Sequence, residues 1–278
     1  MNFSFAKKLE NLVAEANFSL RDDVLRLLKN AYMKEKNKKA KRALFWILEN
    51  AKIAKKENLA ICQDTGLPII FIDVGKNISI SSSLIDTIKE SVISGYKKNY
   101  FRASIVEPLK RERLSYKGVI IHVDFDSKIK GMRISILPKG FGSENKSSLK
   151  MFNPTVKLED IEDFVVESVK RAGPQACPPF IVGIGIGGTS DYALLLAKKA
   201  LLYNLNKPNQ NKMLDKIEKR LLKKINALNI GPMGLGGKFS ALAVKIKLAP
   251  THMAGLPVGV SISCHALRSA SINIDNFS

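Results

Sequence analysis

Three cysteines, Cys62, Cys177 and Cys264, are the residues of this chain whose type and setting can do chemistry. Cys62 opens the polar turn Cys62-Gln63-Asp64-Thr65-Gly66, with an amide, a carboxylate and a hydroxyl beside the thiol. Cys177 sits in Ala176-Cys177-Pro178-Pro179, where the prolines fix the backbone just after the thiol and remove donors. Cys264 ends a Gly/Pro-rich stretch that begins at Pro250 and carries His252, with His265 directly after the thiol. An odd, sparse set argues against a disulfide framework, and the lack of any CxxC pair rules out a zinc knuckle and a thioredoxin-type site. Two readings remain. The thiols are inert core residues, or they come from three distant loops to form one metal centre. An iron–sulfur cube held by three thiolates keeps one iron without a protein sulfur, free to bind substrate as a Lewis acid.

Anion-binding candidates lie between the cysteines. Lys139-Gly140-Phe141-Gly142-Ser143-Glu144-Asn145-Lys146-Ser147 reads as a Gly-broken loop whose backbone N–H groups can nest a carboxylate. Arg102 follows an aromatic pair and offers a fork that grips a carboxylate through two hydrogen bonds. Gly234-Leu235-Gly236-Gly237-Lys238 is a second tight, basic loop. The formal charge of +20 suits anionic ligands or an acidic partner, but it equally describes a lysine-coated surface. No nucleic-acid module signature accompanies it, so no nucleic-acid partner is expected. Gly183-Ile184-Gly185-Ile186-Gly187-Gly188 satisfies GxGxxG after a strand and before a helix. The acidic residue a dinucleotide site needs about 20 positions later is missing, and 203–210 read Tyr-Asn-Leu-Asn-Lys-Pro-Asn-Gln. Close backbone packing, or a helix N-terminus facing an anion, accounts better for these glycines.

The elements that must hold these loops are legible in the apolar periodicity. Residues 4–57 read as helices, with Leu25, Leu28 and Tyr32 on one face of the second and Leu44, Ile47 and Leu48 continuing in the third. Strands are predicted at 68–74, 119–125, 132–137, 180–186, 242–248 and 258–261, and helices at 83–98, 158–171, 190–203 and 213–228. Strands and helices mix without clean βαβ alternation, which predicts a mixed α/β (α+β) fold and not a doubly wound sheet. An N-terminal helical segment would precede strands and helices around a central iron–sulfur site. At 278 residues the chain is one catalytic domain, 1–278, with room for two lobes at about 1–155 and 156–278. No apolar run approaches a membrane span and no secretory leader is evident, so a soluble, cytoplasmic protein is expected.

Taken together, five segments resemble the alpha region of class I, iron–sulfur-dependent fumarate hydratases and L-tartrate dehydratases. They are CQDTG at 62–66, KGFGSENKS at 139–147, ACPPFIVGIGIGGTSD at 176–191, GPMGLGGKFSALAVKI at 231–246 and PTHMAGLPVG with SISCHALR at 250–268. The resemblance implies a hydro-lyase alpha subunit that hydrates a small dicarboxylate, fumarate to malate, with L-tartrate dehydration or an altered iron–sulfur paralogue as alternatives. It implies that Cys62, Cys177 and Cys264 ligate a [4Fe-4S] cluster with one iron free of cysteine. It implies that Gln63, Asp64, Arg102 and Gly142 bind the dicarboxylate and that His252 has a catalytic role. It also implies a beta subunit in a hetero-oligomer, α2β2 being one arrangement, that carries the catalytic base. Three departures bear on the substrate. An amide-rich stretch is replaced by Glu112-Arg113-Leu114-Ser115-Tyr116-Lys117-Gly118, a glycine of the KGGGSEN loop by Phe141, and threonines by Lys238 and Phe239.

Overall fold

The computed structural model describes residues 3–76 and 78–275, which form two compact units, each assembled from separate stretches of chain. Of the described residues, the first comprises 3–21, 51–76, 78–141 and 268–275, and the second 22–50 and 142–267.

The first unit is built on a four-stranded sheet with the order β10 (Ala270–Ile274), β5 (Met132–Lys139), β1 (Leu67–Val74), β4 (Ile120–Phe125). Strand β1 runs parallel to β4 and antiparallel to β5. Its run Pro-Ile-Ile-Phe-Ile is buried throughout, which is why the sequence there is continuously apolar instead of alternating. Helices α1 (Phe3–Phe18) and α4 (Ser82–Lys98) share a core with this sheet through Leu9, Val13, Leu84, Ile88 and Val92. The Ser81 hydroxyl caps α4 by accepting from the Leu84 amide. A short hairpin, β2 (Ile105–Val106) with β3 (Arg113–Ser115), projects from the unit's loop region.

The second unit has the sheet order β6 (Ser148–Phe152), β9 (Leu256–Ser263), β7 (Phe180–Gly188), β8 (Ala241–Thr251). Strand β7 is parallel to β8 and antiparallel to β9. Helices α6 (Leu158–Ala172) and α8 (Lys212–Asn226) bury Val165, Val169, Leu214 and Leu221 in its core. Helix α7 (Ser190–Ala200) lies directly against β7, where a Cβ at Gly183 would stand 2.1 Å from the Ala197 carbonyl oxygen. Helix α2 (Asp22–Lys34) and most of α3 (Lys38–Glu57) also belong here.

The mixed α/β class and the helical N-terminus are as expected, and so are the principal strands. The structure departs from the reading at several short elements. The 139–148 loop contains a helical turn, α5 (Phe141–Glu144), and ends in β6. Helix α7 stops at Ala200, three residues early. Strands β2, β3, β6 and β10 were missed: β6 and β10 are five-residue strands at sheet edges, and β2 and β3 are two- and three-residue strands outside the two four-stranded sheets. Among the described residues no helix is long and apolar enough to cross a membrane.

Candidate functional site

In the first unit the Cys62–Gly66 turn is fixed from several directions. Gly66 adopts φ +75°, and an added Cβ would lie 2.7 Å from the Pro138 carbonyl carbon, so only glycine fits. The Asp64 carboxylate accepts the Gly66 N–H through Oδ1 at 3.0 Å and the Phe141 N–H through Oδ2 at 2.8 Å. One amide of the expected anion nest is therefore turned to Asp64. The Thr65 hydroxyl accepts from the Arg102 N–H at 3.1 Å and donates to the Arg102 carbonyl at 3.4 Å, which sets the backbone of Arg102. The Tyr96 hydroxyl donates to the Thr65 carbonyl at 2.9 Å. Burial pushes that phenol well above its ordinary pKa, so it remains a donor at any working pH. A cavity of about 510 Å³ opens beside the turn, lined by Asp64, Arg102, Ala103, Ser104, Val106, Arg113 and Phe141. On the same turn Gln63 is exposed and Cys62 half-buried.

Beneath the turn lies a residue that sequence reasoning left without a role. Arg268 is 3% exposed, donates from Nη2 to the Asp64 carbonyl at 2.7 Å and from Nη1 to Asn17 Oδ1 at 3.4 Å, while its Nε has no partner. A cation this deep costs desolvation energy, and a carbonyl offsets little of it. The available signal was a lone arginine among small and apolar residues, Ala266-Leu267-Arg268-Ser269-Ala270. Arg268→Met removes both a charge-assisted bond of about 1.5–3 kcal/mol and the desolvation cost, so global stability should shift little. Local order should suffer instead: exchange of the Thr65 and Gly66 amides is expected to speed at least tenfold, about 1.4 kcal/mol of local opening. Unchanged exchange there would show that Arg268 does not hold the turn.

The second unit brings the other two cysteines together. Cys177 follows the turn Gly173–Ala176 in a left-handed conformation (φ 54°, ψ 67°), uncommon for a residue with a side chain. Its carbonyl accepts the His265 N–H at 3.2 Å, and His265 Nδ1 stands 3.1 Å from the same oxygen. The residue next to Cys264 is thus stapled to Cys177. The antiparallel register of β7 and β9, which pairs Ile181 with Ser263, carries both loops to one end of the sheet. The Met233 N–H donates to the Pro178 carbonyl at 2.8 Å and adds the Gly231–Gly237 loop to this cluster. Cys177 and Cys264 are half-buried, and none of the three cysteines is in a disulfide.

His252 lies elsewhere. It occupies the exposed turn between β8 and β9, beyond the end of β7 where Gly188 pairs with Thr251. Ile181 to Gly188 is about 23 Å of extended chain, so within this unit His252 stands at the opposite end from Cys177 and Cys264. Its Nδ1 accepts the Ala254 N–H at 3.1 Å, which leaves Nε2 as the outward donor of the neutral ring. Gly142 is exposed in α5, with open space around it.

Among the described residues no three His, Cys, Asp or Glu side chains are grouped to hold a single metal ion. The donor set nonetheless suits an iron–sulfur cluster: three partly exposed cysteines outside disulfides, each on a turn fixed by backbone hydrogen bonds or prolines.

Comparison with known proteins places these features in context. A family model described as fumarate hydratase (Fumerase) matches residues 6–273. A Methanocaldococcus jannaschii protein named "Putative L(+)-tartrate dehydratase subunit alpha" is 45% identical over 266 residues, 93% of each chain. The L(+)-tartrate dehydratase subunit alpha of Escherichia coli is 29% identical over 269 residues, 95% of this chain and 88% of that one. A Geobacillus stearothermophilus protein named "Putative fumarate hydratase class I" is 29% identical over 282 residues, 97% of this chain but 54% of the relative.

Proposed function

The chain belongs to the fumarate hydratase (Fumerase) family, and from that premise we propose that it is the alpha subunit of a cytoplasmic hydro-lyase that interconverts fumarate and malate. The observation that carries this reading is the cavity in which Arg102, its backbone latched by Thr65, stands beside Asp64 on the Cys62–Gly66 turn. In this proposal Cys62, Cys177 and Cys264 hold a [4Fe-4S] cluster, one iron of which lacks a cysteine. When bound, such a cluster supplies a Lewis acid that makes hydroxide a better leaving group.

The chain's own residues bind and orient. Arg102 grips a carboxylate through its fork. The Gln63 amide and the Gly142 backbone N–H add hydrogen bonds that fix the acid's orientation. Asp64 can only accept, so the lone pairs left over from the Gly66 and Phe141 amides meet the hydroxyl of malate and not a carboxylate. Its larger contribution is to keep the thiol-bearing turn in shape. In this reading His252 donates through Nε2 from the far end of β7, to a substrate site completed by another subunit. A base on a beta subunit takes the proton from the carbon next to the hydroxylated one. A beta subunit is supported by the relatives named alpha subunits and by the class I relative that extends well beyond the matched region.

L-tartrate dehydration is the second reading, favoured by the 45% identical relative. Assays with fumarate, L-malate and L-tartrate decide between the two. The anaerobically purified chain alone should turn over none of them, and the complex with its partner subunit should turn over one at a rate of at least about 1 per second. A complex with full iron content and no activity on any of the three would overturn the hydro-lyase assignment.

A further inference from the structure

Arg113 lies in the stretch where this chain departs from the family pattern. The structure places it in the lining of the same cavity as Arg102. Its backbone is held by the β2–β3 hairpin. Strand β3 pairs Arg113 with Val106 of β2, another lining residue. The Glu107 carboxylate caps the intervening turn by accepting the Leu109 and Lys110 amides, and the Glu107 N–H donates to the Glu112 carbonyl at 2.8 Å. The Tyr116 hydroxyl ties the end of the hairpin to the Phe101 carbonyl at 2.9 Å, one residue before Arg102.

The electrostatics of the cavity are unbalanced. Two guanidiniums line it, and among the described residues neither pairs with a carboxylate. The only acidic lining residue, Asp64, already accepts two backbone N–H groups. The remaining wall is hydrocarbon from Ala103, Val106 and Phe141 with one hydroxyl from Ser104. Two unpaired arginine forks on a partly apolar wall suit a small dianion, because each fork can take a carboxylate in a planar two-bond contact.

We propose that Arg113 is a second carboxylate-binding residue of this cavity, and that Arg102 and Arg113 together select a short dicarboxylate over a monocarboxylate. The proposal depends on the hydro-lyase reading only for the identity of the acid that reacts.

The test is calorimetric titration of the anaerobically assembled complex with succinate, an unreactive dianion, and with butyrate, a monoanion of equal length. Arg113→Ala should weaken succinate binding at least tenfold, as expected for loss of one charge-assisted contact of about 1.4 kcal/mol, while butyrate binding changes less than threefold. Arg113→Lys should fall between, since a point charge replaces a planar fork. An unchanged far-ultraviolet spectrum would confirm that the exposed hairpin substitution leaves the fold intact. Succinate affinity within twofold of the unsubstituted complex, or no measurable succinate binding by that complex, overturns the proposal. A complex that binds succinate through Arg113 yet turns over neither fumarate, L-malate nor L-tartrate refutes the hydro-lyase reading and leaves the Arg113 assignment standing.

Discussion

Cys177→Ser should yield a folded, colourless chain whose complex has less than about 1% of the unsubstituted activity, a loss of at least about 2.7 kcal/mol in transition-state stabilisation. The effect divides cleanly because the two roles of this residue use different atoms. Its backbone is held by the His265 N–H on the Cys177 carbonyl and by the Cys177 N–H on the Pro174 carbonyl, and serine retains both bonds. Its side chain is half-buried, so replacing sulfur by oxygen leaves no core cavity. A hydroxyl, which stays protonated at neutral pH, is a poor substitute for a thiolate on iron. Iron and acid-labile sulfide, about four of each per unsubstituted chain, should therefore fall sharply while the apoprotein melts at its usual temperature. The opposite pattern, full iron content with a lowered melting temperature, would make Cys177 a packing residue and remove the cluster from the mechanism.

Gly185→Ala should lower stability by roughly 3 kcal/mol, at the upper end for overpacking a core, and the melting temperature by roughly 10 °C for a unit of this size. An added Cβ would meet the Ala193 carbonyl oxygen at 2.0 Å and the Ala197 nitrogen at 2.6 Å. Both are backbone atoms of α7, so no rotamer change relieves the clash and the helix must move off β7. Gly142→Ala is the control: its nearest neighbour, the Gln175 carbonyl oxygen, would be 3.9 Å away, and its melting temperature should be unchanged. Thermal unfolding of the two variants side by side checks the contrast. Equal melting temperatures would mean that α7 and β7 do not approach as closely as described. The same contacts explain the GxGxxG pattern, since Gly183 and Gly185 exist to let a helix backbone lie on a strand. No phosphate need be invoked.

Much of the molecule was legible in the sequence because its signals are local. The apolar run at 68–74 announces a buried strand, and the pattern over 83–98 announces the helix that became α4. Strands β6 and β10 escaped notice for a physical reason. At an edge the solvent-facing positions of a short strand carry serine, lysine or asparagine, and the alternation is too brief to distinguish from a loop. The composition of each unit from non-contiguous stretches was equally invisible, because no linker composition marks where the chain passes from one to the other.

By itself the sequence determined the chemical inventory: three cysteines on constrained turns, an arginine suited to a carboxylate, and glycines where backbones must approach closely. Tertiary structure decided how these are used. The Asp64 carboxylate turns to the Gly66 and Phe141 amides, and Arg268, more than 200 residues away in sequence, holds the Asp64 carbonyl from below. The pairing of Ile181 with Ser263 unites the Cys177 and Cys264 loops, and the pairing of Gly188 with Thr251 carries His252 to the other end of the same sheet. Strand register is set by which faces the whole sheet buries. A linear pattern specifies which residues can be ligands, while long-range pairing specifies which of them meet.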